Sequence, residues 1–235
     1  MAGQTKRLVG KDGEVYAATK GELVEGNGTT PLSDSYYIVT EIAASSSALP
    51  AGLQPGYVFK GSATIIPAEG DKVLPLILTK KCDITNFSVE YSADEIDVTT
   101  LCDSERSYRA GFTDATGSLE GVTTINISEY LMSKFIPIVT QTGDTVEVTE
   151  IDGDALLMRL VLNKKDGDIL SYFAPIAVTS YNIGATVDDA QTYTANFRNT
   201  PDDALKPCVL KEVNVSTLNV AKVGNAKVNQ TKAGK

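Results

Sequence analysis

Apolar and polar residues alternate with a period of two along three segments of the chain, and this pattern limits the fold more than any other feature. The segments are residues 83–101, 116–127 and 191–198. Successive side chains of a strand point to opposite faces of a sheet, so strict alternation indicates one buried and one wet face. The sequence therefore predicts a mainly β protein with a sandwich-like or barrel-like core.

The first segment, residues 83–101, is predicted to form a β-hairpin that turns at residues 92–94. A register that pairs Val89 with Ile96 places all the apolar side chains of both strands on one face of the hairpin. The opposite face then carries amide, hydroxyl and carboxylate groups.

Further strands are predicted from their content of β-branched and aromatic residues. They lie at residues 36–42, 57–59, 64–66, 71–79, 145–151, 155–162 and 169–179. Asp-Gly pairs at Asp152–Gly153 and Asp166–Gly167 favour tight turns, so residues 145–180 are predicted to form a meander.

One short amphipathic helix is predicted between Ser128 and Pro137. Serine is a good N-cap, and proline cannot continue a helix. The apolar residues between them recur at helical spacing, which favours a helix that covers one face of the sheet. They are Leu131, Met132, Phe135 and Ile136.

The chain is predicted to divide into four segments. Residues 1–35 are an N-terminal arm and loop, residues 36–79 a small β lobe or insertion, and residues 80–200 the core. Residues 201–235 have few core residues and end in lysine, so they are predicted to be a basic, extended C-terminal arm.

Composition argues against enzymes and against proteins that grip nucleic acids. The chain has no histidine, which removes the commonest general base and metal ligand and excludes Ser-His-Asp and Cys-His nucleophile systems. Its net charge of −9 is opposite to the sign that binds phosphates. We therefore predict no catalytic residue, no metal and no bound cofactor.

The three cysteines, Cys82, Cys102 and Cys208, have no Cys-x-x-Cys spacing, which argues against a structural zinc site. The predicted hairpin register places Cys82 and Cys102 on opposite faces, which disfavours a disulfide between them. Reduced thiols are the simplest interpretation, and disulfides between neighbouring chains stay open. With no signal peptide or apolar run long enough to span a membrane, assembly in the cytoplasm is expected.

One stretch of the chain has a distinctive order of residues. It begins with the run from Ser92 to Leu101, continues with Arg106 and Tyr108, and ends with the Ala-Gly-Phe-Thr-Asp sequence at 110–114 and the Gly-Ser pair that opens the next strand. This stretch resembles the major tail tube proteins of long-tailed, siphophage-like bacteriophages. The order of strand, helix, meander and final strand is also similar, over about residues 80–200.

The resemblance implies a structural protein of the virion. Tail tube subunits have a β-sandwich-like core with one flanking helix, and six of them form a ring whose inner sheets close into a barrel. Rings stack through loops and terminal arms. The implied partners are further copies of the chain, the tape measure protein, and the tail terminator and distal tail proteins, while DNA crosses the lumen without specific binding.

Under this interpretation the polar residues of the alternating strands face the lumen. The lumen candidates are Asn86, Ser88, Glu90, Asp97, Thr99, Ser118, Glu120 and Asn126. A solvated outer face is the simpler alternative for each of them. Charged residues at the predicted turn and in the loop after it are candidates for contacts between subunits. These are Asp94, Glu95, Arg106 and Arg109.

Two other classes of protein stay open at this stage. One is a β-sandwich adhesin or carbohydrate-binding module, which exposed aromatic residues on one sheet face would favour. The other is a secretion-system tube protein of similar fold. The host, the ring symmetry and the contractile or non-contractile type of tail do not follow from the sequence.

Overall fold

The computed structural model describes residues 13–43, 48–97, 108–124, 130–151, 153–165, 167–184 and 190–213. These residues form thirteen strands and only a single turn of helix, so the prediction of a mainly β fold with one short helix is confirmed. The strands are β1 Glu14–Lys20, β2 Val24–Glu25, β3 Tyr36–Glu41, β4 Val58–Lys60, β5 Lys72–Lys80, β6 Ile84–Asp97, β7 Tyr108–Val122, β8 Ile138–Thr142, β9 Thr145–Thr149, β10 Leu156–Lys165, β11 Asp168–Gly184, β12 Thr192–Asn199 and β13 Cys208–Glu212.

Eleven of the strands belong to one antiparallel sheet. Its order is β4-β3-β5-β1-β10-β11-β12-β7-β6, with β2 paired to β5 and β13 paired to β11. Strands β8 and β9 form a separate two-stranded sheet. Neighbours in the sheet are therefore often distant in the chain, as where β1 lies between β5 and β10.

Strand β10 lies at the centre of the fold, because its residues 156–162 are buried on both faces. Alternate side chains enter two different apolar clusters, Met158 and Leu160 in one and Leu157 in the other. Strands that are buried on both faces have nearly continuous apolar sequences, as residues 156–162 do apart from Arg159.

The main core is the cluster that receives Met158 and Leu160. It also contains residues of β1 and β11 and, from the far end of the sheet, Phe87 of β6, Leu119 of β7 and Phe197 of β12. Because both ends of this stretch of sheet contribute to one cluster, the sheet is folded over on itself into a sandwich-like arrangement.

Two further clusters lie around β3, β4 and β5. One joins Ile38 to Phe173 of β11 and to Leu205, which precedes β13. The other surrounds Tyr37 and Val73. Strands from residues 36–79 and from the predicted terminal arms therefore share the large sheet with the core strands, whereas the four-segment division itself stays a prediction.

The predicted turn at residues 92–94 is wrong, because β6 runs through these residues to Asp97. It pairs with β7, so Val89 lies opposite Gly117 rather than Ile96. Residues 92–94 lack the glycine or asparagine that favours a two-residue hairpin loop, and pairing with β7 brings the buried Phe87 opposite Leu119. The argument about Cys82 and Cys102 loses its basis with this register, and Cys102 is outside the described residues.

The hairpin predicted between β9 and β10 at Asp152–Gly153 is also wrong, and Asp152 itself lies outside the described residues. Strand β9 pairs with β8, which was not predicted. The tight turn lies at Gly143 and Asp144, where Gly143 has a φ of +60° that glycine adopts without strain. By contrast, β10 and β11 pair down to Lys165 and Asp168, so the predicted hairpin between these strands is confirmed, and Asp166 itself lies outside the described residues.

Two smaller predictions need correction. Residues 64–66 are not a strand but part of a loop, in which the Ile65 amide donates to the Ser62 carbonyl. The described helix covers only residues 130–132, and it buries Leu131 in the main core. Phe135 and Ile136 are exposed, so the predicted apolar face is shorter than expected. Ser128 lies outside the described residues.

Candidate functional site

Four strands at one end of the sheet form the candidate site. They are β6, β7, β12 and the second half of β11, and adjacent strands are antiparallel. Their registers align side chains in rows that cross all four strands. One such row contains Ser88, Ser118, Asn196 and Ser180. We call the surface that carries these rows the polar face.

Side chains of the polar face are bonded to one another along the rows. The Ser88 and Ser118 hydroxyl oxygens lie 2.8 Å apart, and the Asn196 amide donates to the Ser180 hydroxyl at 2.8 Å. A second row begins with Asn86, whose amide donates to the Glu120 carboxylate at 3.0 Å. These bonds link polar side chains of neighbouring strands across the polar face.

Charges on the polar face are mainly acidic. Glu90 is exposed, and Glu120 is half-buried beside Asn86. Arg198 is paired with Asp114 at 2.8 Å, so this arginine is balanced by its neighbour. The rows line a concavity of about 570 Å³, and most of its lining residues are polar or charged.

The other side of the same four strands belongs to the main core. Phe87, Leu119, Tyr193 and Phe197 are all buried there, which confirms the predicted alternation at residues 192–198. Gly117 allows this packing, since a Cβ at that position would lie 2.4 Å from the Phe197 ring. The four strands therefore have one wet face and one sealed face.

The structure brings together five of the predicted lumen candidates. Asn86, Ser88, Glu90, Ser118 and Glu120 share the polar face, as the bonds between them show. Thr99, Asn126 and Arg106 lie outside the described residues.

The remaining candidates differ from the prediction in their backbone. Asp94, Glu95 and Asp97 are residues of β6 rather than of a turn or a returning strand. Arg109 was predicted to lie in a loop but is part of β7, opposite Ile96. The cause is the same change of register that removed the predicted turn.

Several residues of the polar face were missed. Those of β12 and β11 complete its rows, and they are Thr194, Asn196, Arg198, Ser180 and Asn182. The alternation of β12 contained the necessary signal, because its polar residues face away from Tyr193 and Phe197. What the sequence lacked was the pairing of β12 with β7.

Both borders of this four-stranded region are open among the described residues. Strand β6 is the last strand of the sheet and has only β7 as a neighbour. Ile176 of β11 pairs with Leu156 on one edge and with Asn199 on the other, so β10 and β12 lie on opposite edges. Beyond Ile176 the β10 edge of β11 has no partner in the described part of the chain.

A second polar cluster lies away from this site and joins β13 to the rest of the sheet. Arg159 is only 6% exposed, and its guanidinium lies 4.3 Å from the centre of the Tyr36 ring. It contacts Glu212 at 3.3 Å and donates to the Ser171 hydroxyl. The Tyr36 hydroxyl donates to the same Glu212 carboxylate, and burial together with this bond raises the pKa of Tyr36.

The described residues contain no group of three or more potential metal-ligating side chains. Among them there is also no helix long and apolar enough to cross a membrane.

Comparisons with known proteins give structural neighbours only. No protein-family model matches the sequence, and no curated protein matches it. One similar structure is the virion of a native gene transfer agent particle, at 13% identity and a TM-score of 0.41, covering 58% of this chain and 89% of the other. Another is the tail of an empty gene transfer agent particle with C6 symmetry, at 16% identity and a TM-score of 0.40, covering 58% and 87%.

Proposed function

We propose that this chain is a structural, non-enzymatic subunit of a phage-like tail, which assembles into rings that stack as the tail tube. One observation carries the proposal: among the described residues, the polar four-stranded face has an open edge on each side. An open strand edge is a template for pairing with another chain, and native proteins normally blunt or cover such edges. Pairing between copies provides the cover here.

The direction of the strands supports closure of a ring. Strands β6 and β11 at the two borders run antiparallel to each other, because three antiparallel pairings separate them. In a ring of identical copies, β6 of one subunit therefore meets β11 of the next in the antiparallel sense. Each contact joins two different surfaces, which is the type of interface that generates rings.

The two borders also lie at the same level of the sheet. Val89 of β6 aligns through Gly117 and Phe197 with Val178 of β11. Strand β11 continues to Gly184 with its outer edge open in the described chain. A hexamer of such units would give a barrel of about 24 strands, which is wide enough to leave a water-filled channel.

The polar face is the side of this barrel that turns to the lumen in our proposal. Its opposite side is occupied by the main core, so only the polar face is free to line a channel. Glu90 and Glu120 give the lining a negative charge, which repels phosphates and lets DNA slide. If these residues instead belong to a solvated outer face of a monomer, the open strand edges must be covered in another way.

Further parts of the proposal follow the resemblance. They are a lumen filled by the tape measure protein before DNA passes, ends bounded by terminator and distal tail proteins, and location in the virion. Contacts between subunits through Asp94, Glu95, Arg106 and Arg109 belong to the same proposal.

Electron microscopy of the purified full-length chain tests the proposal directly. We expect rings or hollow tubes in negative stain. Asn182→Pro and Ile183→Pro form a matched pair of variants. Adjacent amides of a strand point to opposite edges, and proline removes the amide hydrogen, so each variant affects a different edge of β11. One of the two variants should keep the thermal stability of the monomer yet lose the rings. A chain that stays monomeric at high concentration, or that binds glycans as a monomer, would contradict the proposal.

A further inference from the structure

The β8–β9 hairpin has an apolar face that nothing covers among the described residues. Val139 pairs with Val148 and Gln141 pairs with Val146, so these four side chains share one face, which we call the valine face. The three valines are 63%, 57% and 60% exposed at positions 139, 146 and 148. A single two-stranded hairpin is marginally stable in water, so this one is built to pack against something.

Acidic residues lie at both ends of the valine face. Asp144 lies in the turn at one end of the hairpin, and Glu150 follows β9 at the other end. Glu147 lies on the opposite face, across from Thr140. Residues 138–151 contain no lysine or arginine, and these three carboxylates form no ion pair within the described chain. A partner segment that carries both apolar and basic side chains would therefore complement the hairpin.

The C-terminal sequence of the chain has this composition. Residues 214–235 carry four lysines and no acidic residue, among five valines and leucines. The lysines are Lys222, Lys227, Lys232 and Lys235, and the apolar residues are Val215, Leu218, Val220, Val223 and Val228.

The charge of the whole chain is divided in the same way. Residues 1–12 and 214–235 carry seven of the 21 basic residues and one of the 30 acidic residues. Residues 13–213 therefore carry 14 basic and 29 acidic residues, a net charge of −15. An acidic body with basic ends favours contacts in which an end of one copy lies on the body of another.

We propose that the valine face of one copy binds residues 214–235 of a neighbouring copy. Valines and leucines of that segment pack on Val139, Val146 and Val148, and its lysines lie beside Asp144 and Glu150. The proposal rests on the tail-tube function, because assembly supplies the neighbouring copy. The last described residue is Val213, and 22 further residues reach at most about 75 Å, against roughly 45 Å for the width of a domain of this size.

Charge reversal with rescue tests the pairing in the full-length protein. Asp144→Lys with Glu150→Lys should raise the critical concentration for tube formation about tenfold, and glutamates at the four C-terminal lysines should do the same. Combining the two sets should restore most of the loss. Glu147→Lys is the matched control, since it changes the same charge on the opposite face and should have little effect. Failure of the combined variant to recover, with rings still forming, would overturn the pairing.

Cysteine cross-linking shows which copy supplies the segment. In a background with serine at Cys82, Cys102 and Cys208, chains with Val148→Cys are mixed with chains with Val220→Cys and assembled. We expect disulfide-linked dimers of the two kinds of chain, and none when Thr140→Cys replaces Val148→Cys. Cross-links found only within a chain that carries both substitutions would place the segment on its own hairpin and refute the inference.

The outcomes separate this inference from the proposed function. If the full-length chain forms rings but yields no mixed cross-link, only the inference fails. If the chain never leaves the monomeric state, the tail-tube function fails and this inference fails with it. Removal of residues 214–235 should weaken tubes while rings closed by β6 and β11 still form.

Discussion

Strands β10 and β6 belong to one sheet but differ in burial and in the number of neighbouring strands. Residues 156–162 of β10 are buried on both faces and have a strand on each edge. Strand β6 buries Phe87 on one face, exposes Asn86 and Glu90 on the other, and within the described part of the chain has a neighbour on one edge only. The fold thus concentrates its apolar burial around β10 and leaves the β6 end of the sheet wet and open.

The difference separates stability from assembly. Substitutions around β10 should affect whether a copy folds, because burial of apolar area dominates the free energy of folding. Substitutions on the polar face should leave the monomer nearly unchanged and affect what the assembled particle does. Four predictions test this separation.

The largest effect is expected for Phe173→Ala in β11, beside β10. Phe173 is fully buried and lies 5.3 Å from the Tyr36 ring, so its removal leaves a large cavity. We expect a loss of about 3–5 kcal/mol in the free energy of unfolding, measured by urea denaturation. Val209→Ala, at a half-exposed position of β13, should cost no more than about 0.5 kcal/mol. Similar losses for both would contradict the assigned core.

Gly117→Ala tests the packing on the buried face of the four strands, opposite the polar face. An added Cβ would lie 2.1 Å from the Ser88 carbonyl oxygen and 2.4 Å from the Phe197 ring. Overpacking of this kind should cost about 1–3 kcal/mol in the same denaturation experiment. Gly153→Ala is the control, because nothing lies within 4 Å of its added methyl group. An unchanged midpoint for Gly117→Ala would mean that β6, β7 and β12 pack differently.

Glu14→Gln should flatten the acid limb of the stability curve. The Lys164 and Lys80 ammonium groups that bond to Glu14 lower the pKa of its carboxyl from 4.5 to about 2. A pKa that is lower in the folded state stabilises the fold above about pH 4.5, and this contribution is lost as the pH falls toward 2.

The measurement is the thermal midpoint between pH 2 and 6 for both proteins. The wild type should lose stability more steeply on acidification than Glu14→Gln, and the two curves should converge at the acid end. Parallel curves would show that this carboxylate does not link β1 to its neighbours as described.

The smallest effect on stability is expected for Glu90→Lys and Glu120→Lys on the polar face. The free energy of unfolding should change by no more than about 0.5 kcal/mol for Glu90→Lys, because Glu90 is exposed and surface substitutions away from packed features are nearly neutral. Tubes that contain either variant should release DNA more slowly, measured as genome ejection from virions. Glu69→Lys, in an exposed loop, provides the same charge change elsewhere. Normal ejection from the polar-face variants would remove the electrostatic part of the proposed lumen.

The features that the sequence predicted correctly are those set by local side-chain order. The alternation around Tyr193 and Phe197 and the hairpin between β10 and β11 needed no knowledge of distant residues. The mainly β fold followed from many such segments. The polar character of Ser88 and Glu90 was equally local, which is why five lumen candidates share one face.

The failures concern choices between distant partners. Residues 92–94 looked like a turn only because the competing partner of β6 lies beyond residue 107. Asp152–Gly153 is a strong local turn signal, yet the hairpin turn lies at Gly143 and Asp144, between β8 and β9, which pair with each other. The contact between Arg159 and Glu212 joins residues 53 positions apart, and no local pattern marks a lone arginine in an apolar run as buried.

That last contact has a consequence for how copies are made. Arg159 is enclosed by aromatic rings, and its carboxylate partner is supplied by the final described strand. A polypeptide released from the ribosome before position 212 would hold a desolvated guanidinium without its counter-ion, which is strongly destabilising. Prematurely terminated copies would thus be the first to unfold, and under the proposed function a growing tube would draw its subunits from full-length molecules.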